Sequence, residues 1–175
     1  MIRKAQGFAL IDVIFVCGMI GLLCSIALPR FMLAKQSAGA SSAIGSMRVI
    51  GSAELTFALT CGGGFYAPSL STLGVAPLGS NEAFIGGGLG AADTVTKSGY
   101  IIQLDAQGFA GAPASCNGLG PGIAGQGFRA GADPTELTNQ RFFAINANSL
   151  IFEHTASLFA AMPEFDDPPI GQSLR

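Results

Sequence analysis

Residues 8–28 read FALIDVIFVCGMIGLLCSIAL, 21 residues carrying a single charge, Asp12. At ~1.5 Å rise per residue, a helix over this run reaches across a hydrocarbon core of ~30 Å. Arg3 and Lys4 precede it. The positive-inside rule then keeps the N-terminus cytoplasmic and sends the remainder of the chain outward. The later apolar stretches, 123–127 and 142–145, are too short to cross. One crossing, at the start of the chain, is the limit.

The run admits several readings. One is a plain single-pass anchor. Another is a secretory signal cut after Ala27, where Ser25-Ile26-Ala27 has the small-x-small form, although the apolar stretch exceeds the usual length and contains an acid. Lipidation at Cys17 or Cys24 calls for a small preceding residue, and Val16 and Leu23 are large. The acid calls for its own account. A carboxylate deep in a bilayer costs ~2.5–3.5 kcal/mol on insertion scales. No base lies within helical reach of Asp12 inside the run. Either Asp12 reaches the cytoplasmic interface, which its short side chain makes difficult, or another molecule supplies its partner.

The order Gly7-Phe8-Ala9-Leu10-Ile11-Asp12 behind a basic leader resembles the signal of type IV pilin-like proteins, the type IV pilins and type II secretion pseudopilins. In that family a short basic leader ends in Gly, Phe follows, and an acid stands at the fifth mature position. Gly21 and Pro29 fall where the family carries helix-weakening residues. The family usually has Glu where this chain has Asp12. The resemblance implies cleavage after Gly7 by a prepilin peptidase and methylation of the Phe8 amine. It also implies pairing of that amine with Asp12 of a neighbouring subunit. The implied partners are other pilins in a homo- or hetero-oligomeric filament, the peptidase, an inner-membrane assembly platform and the membrane. The implied location is a single pass of the inner membrane, then a periplasmic or extracellular filament. No catalysis and no cofactor are expected.

Beyond Pro29 the helical pattern continues. Ile44, Met47, Gly51, Leu55 and Ala58 recur at spacings of three and four, with Arg48 and Glu54 off that stripe. Pro29 is expected to kink the helix, and Gly18 and Gly21 to weaken it. Gly62-Gly63-Gly64 ends it. The expected organisation is a leader at 1–7, a membrane or filament-core helix at 8–29, its continuation at 30–60, and a head at 61–175. Strands are expected at 98–104, 142–146 and 149–153, the last two as a hairpin through Asn146-Ala147-Asn148, with 108–127 as loop. The fold class is therefore α+β, a long helix packed on a small antiparallel sheet in a pilin-like layout.

Charged residues are 11% of the chain, against ~25% in ordinary soluble domains. The net charge of −2 argues against a nucleic-acid binder acting through phosphate neutralisation. One His and no CxxC leave no zinc pattern. His154 is expected to end a strand at the surface. Cys17 and Cys24 read as small apolar residues of the run. Cys61 and Cys116 lie in the exported part, where oxidation is allowed, and are expected to bridge. Gly120 to Gly125 matches G-x-G-x-x-G in letters only, without the flanking strand and helix. Glu164, Asp166 and Asp167 read as a solvated acidic turn or as oxygen ligands for calcium, with no metal assigned. The alternative function is a secreted or membrane-anchored calcium-dependent binding domain, or an enzyme, behind an ordinary signal peptide.

Overall fold

The structure, a computed structural model, describes residues 10–86 and 88–174. Helix α1 runs from Leu10 to Thr60 with Pro29 inside it. Helix α2 is one turn, Leu70–Leu73, capped by the Ser69 side chain. Six strands follow: β1 Thr94–Lys97, β2 Tyr100–Asp105, β3 Arg129–Pro134, β4 Phe142–Asn146, β5 Ile151–His154 and β6 Gln172–Ser173. They form one antiparallel sheet in chain order, a meander. The chain divides into two compact units with the boundary between Ser37 and Ala38, so residues 38–60 of α1 fold with the sheet.

The α+β layout expected from the sequence is the one observed, a long helix packed on a small antiparallel sheet. Met47, Ile50 and Phe57 of α1 share a core with Tyr100, Ile102, Ala130, Ala132, Phe143 and Ile145 of the sheet. Small residues bring helix and sheet close. At Gly51 an added Cβ would lie 3.1 Å from Ile145 Cδ1, and at Gly39 one would lie 2.8 Å from the Ser98 carbonyl oxygen. Ser42 Oγ donates to Ser98 Oγ at 2.9 Å beside that contact.

Two glycines of α1 make opposite predictions. Alanine is favoured over glycine in a helix by ~1 kcal/mol. At Gly45 an added Cβ meets nothing within 4 Å. Gly45→Ala is expected to raise stability by ~0.5–1 kcal/mol. At Gly39 the obstacle is backbone oxygen, which cannot swing aside, and overpacking of ~1–3 kcal/mol exceeds the helical gain. Gly39→Ala is expected to lower the melting temperature and Gly45→Ala to raise it. Thermal melts of the two variants check both signs.

The sequence reading needs correction in four places. The buried stripe of α1 includes Met47, Ile50, Glu54 and Phe57, with Glu54 fully buried and Leu55 50% exposed. Met47, Gly51 and Ala58 of the expected stripe are buried and Ile44 is half-buried, so the correction is confined to Leu55 and Glu54, which exchange the inward and outward positions expected of an apolar residue and an acid. The strand expected at 98–104 starts at Tyr100, because Ser98 and Gly99 have φ of 52° and 80° and form the two-residue turn of the β1–β2 hairpin. Strand β3, reading RAGADP, has no β-forming side chain and was assigned no structure from sequence. Its small residues fit because it is covered on both faces. Ala130 and Ala132 face α1, while a Cβ at Gly131 would lie 2.8 Å from Phe159 Cβ.

Phe159 belongs to the segment after β5, which crosses the sheet on the side away from α1. Leu158 and Met162 of that segment bury against Ala144 and Phe152. The hairpin expected through Asn146-Ala147-Asn148 is present, but its second strand starts at Ile151 and not at Ser149, whose φ of 61° belongs to the turn.

Candidate functional site

In the first unit the helix surface itself is the candidate site. Every residue from Leu10 to Lys35 is exposed, with Leu10 at 78% and Leu22 and Phe31 at 70%. Apolar residues occupy all faces, so no polar face is left to water. Among the described helices, this one is long and apolar enough to cross a membrane. Its most apolar window has mean hydropathy 2.5, with none of it buried. That supports a single N-terminal membrane anchor.

Asp12 lies in the first described turn of α1, exposed. Among the described residues no basic side chain pairs with it. Gly7 and Phe8, the expected processing residues, lie outside the described residues. Gly18 and Gly21 have nothing within 4 Å of an added Cβ. Packing within this chain therefore does not require glycine there, although each costs the helix ~1 kcal/mol relative to Ala. Gly21 and Ser25 form a small-xxx-small pair, which permits close approach of a second helix. Ser25 Oγ donates to the Leu22 carbonyl at 2.8 Å. Pro29 removes one helical donor, yet α1 continues through it. Cys17 and Cys24 are free and exposed.

In the second unit Cys61 and Cys116 form a disulfide across 55 residues. It ties the end of α1 to the Gly-rich loop, and the Cys116 N–H also donates to the Cys61 carbonyl at 3.3 Å. Closing a loop of this length stabilises a fold by ~2–4 kcal/mol. Seven residues before the bridge, Glu54 Oε2 accepts from the Ala67 N–H at 2.8 Å, while Oε1 has no partner. Burial pushes the Glu54 carboxyl well above the usual carboxylate range, opposed in part by the Ala67 hydrogen bond. Glu54 is a buried carboxyl that sequence reasoning placed off the apolar stripe. The signal for it was its position four after Ile50 and three before Phe57.

His154 ends β5 and its Nδ1 accepts from the Ala156 N–H at 3.1 Å. Among the described residues no group of three or more His, Cys, Asp or Glu side chains is placed to hold a metal ion. Glu164 bonds the Gln107 N–H, while Asp166 and Asp167 are exposed. No family model matches the chain, and no curated protein or solved structure matches it.

Proposed function

We propose that the chain is a structural subunit of a filament of the type IV pilin-like kind, a type IV pilus or a type II secretion pseudopilus. The observation that carries this reading is the helix from Leu10 to Lys35, apolar and exposed on every face yet carrying Asp12. A lipid anchor needs the apolar surface. It does not need an acid one turn inside it, nor glycines with nothing to pack against in their own chain. A bundle of identical helices uses all three.

In this reading the subunit waits in the inner membrane, is cut after Gly7 and is methylated on Phe8. The assembly platform then moves it into a helical filament. The Phe8 amine of one subunit neutralises Asp12 of its neighbour. Such a pair gives little net stability, because desolvation offsets the attraction, but it sets register, since a misaligned subunit leaves a buried charge unpaired. Val49, Leu55 and Leu59, exposed at 48, 50 and 75%, extend the apolar contact surface along the second half of α1. Loss of the leader leaves seven basic against eleven acidic side chains, a net −4, which suits no nucleic-acid cargo.

The test is the mass of the mature N-terminus from membrane and sheared fractions of the native host. An N-methylated Phe8 is the expected result. A start at Leu28 would replace the filament with a secreted domain behind an ordinary signal, and an intact Met1 would leave a simple anchor.

A further inference from the structure

Two adjoining hollows of about 500 and 240 Å³ open on the head and share Gln107 and Glu164 as lining. From their chemistry we infer that the cleft between Phe109, Gln107, Gln126, Arg129, Glu164 and Phe165 is a binding site for an uncharged saccharide. The inference rests on the head alone and does not depend on filament assembly.

The polar groups are held in place before any ligand arrives. Glu164 Oε1 accepts from the Gln107 N–H, and the Glu164 carbonyl accepts from the Ala147 N–H at 3.2 Å. Asn146, fully buried, donates from Nδ2 to the carbonyls of Pro163 and Asp166 at 3.2 and 2.7 Å, clamping the segment on either side of Glu164. Gly127 lets that segment lie on the backbone. A Cβ there would meet the Phe165 ring at 2.7 Å and Glu164 Cβ at 2.9 Å. Arg129 grips Asp105 through Nε and Nη2 at 3.2 and 2.8 Å and lies over the Phe159 ring at 5.4 Å.

The apolar parts are ring surfaces. Phe109 and Phe165 are 40 and 44% exposed. The Phe109 ring is backed by Phe65, stacked at 5.7 Å between centroids. A pyranose presents C–H groups that pack on such rings, and hydroxyls that both donate and accept. The side-chain amides of Gln107 and Gln126, exposed at the cleft, have the same dual capacity. Fixed polar groups with a small apolar wall are the pattern of a site that orients a small polar ligand.

Charge narrows the class. Arg129 neutralises Asp105, leaving Glu164 uncompensated, with Asp166 and Asp167 following in the same segment. Phosphorylated, sulfated or carboxylated ligands meet like charge there. A purely apolar ligand leaves the carboxylate and amides without partners, which polar sites reject strongly.

The test is a panel of uncharged gluco-, galacto-, manno- and N-acetylglucosamine oligosaccharides, titrated calorimetrically against the full chain in phospholipid nanodiscs, since sugar-headed detergents would compete. Saturable binding of at least one is expected. Phe109→Ala and Gln126→Ala are each expected to weaken it about tenfold, Gln126→Ala with unchanged melting temperature and Phe109→Ala with a lower one, because it also removes the stack on Phe65. Failure of the whole panel to bind would overturn the inference, and so would binding that survives both substitutions. A melting temperature raised by calcium, and no longer raised in Glu164→Gln, without saccharide binding would reassign the cleft to a cation.

Discussion

Replacing Asp12 by Ala is expected to abolish filaments while cleavage after Gly7 proceeds normally. In the proposed pathway the peptidase reads the leader and the Gly7-Phe8 junction, and the Asp12→Ala helix is more apolar than before. In the proposed filament, assembly would then bring the Phe8 amine of each incoming subunit against an Ala. Removing one partner of a buried ion pair costs ~3–5 kcal/mol, because the other charge stays buried alone. At ~1.4 kcal/mol per tenfold in an equilibrium constant, that is a factor of about 100 or more at every subunit addition. Asp12→Glu keeps the charge and installs the residue usual in the type IV pilin-like proteins the signal resembles, so under the proposal it is expected to assemble. Electron microscopy of sheared material, with mass spectrometry of the membrane fraction, reads both steps. Filaments of normal number and length in Asp12→Ala would sink the pairing mechanism and leave the apolar helix surface as the sole assembly determinant.

The second large effect concerns Glu54. Its folded-state pKa is raised by burial, so between the unfolded value, ~4.3, and the folded one the native state binds more protons than the unfolded state. Stability therefore falls as pH rises through that window and levels off above the folded pKa. This is opposite in sign to the usual salt-bridged carboxylate. Glu54→Gln keeps an oxygen acceptor for the Ala67 N–H and removes the titration. Its stability is expected to exceed the parent's at neutral pH and to lack the Glu54 component of the downward slope. Glu54→Leu keeps the volume but orphans the Ala67 N–H, at ~1–3 kcal/mol, and is expected to be less stable than Glu54→Gln. Denaturant melts of the three proteins across pH 4–8 measure these differences. A parent and Glu54→Gln with parallel pH profiles would show that Glu54 is charged in the folded state.

The elements with strong local signals were legible in the sequence. The apolar run, the Gly62-Gly63-Gly64 stop, the β4–β5 hairpin and the bridge between Cys61 and Cys116 all rest on patterns within a few residues or on compartment chemistry. Strand β3 was not legible, because its Ala and Gly are selected by neighbours 28 residues away at Phe159 and across the core at Met47 and Ile50. Glu54 was misplaced for a related reason. A polar residue on the apolar stripe is acceptable only when a backbone donor from a distant loop meets it, and Ala67 supplies that donor. The cleft residues escaped notice because Gln107, Gln126 and Arg129 are unremarkable in sequence, and only the sheet and the segment after β5 bring them beside Glu164.

The meander has a further consequence for how the head comes into being. Each strand hydrogen-bonds to the one before it in the chain, so a polypeptide emerging N-terminus first can add strands in order of arrival, and none waits for a distant partner. The exception is the outer face of β3, β4 and β5. Gly131 stays bare until Phe159 arrives to cover it, and Ala144 and Phe152 until Leu158 and Met162 do. The last twenty residues act as a closing stitch, and a chain cut short before Leu158 would lack β6 and present strands β1 to β5 with one unprotected side.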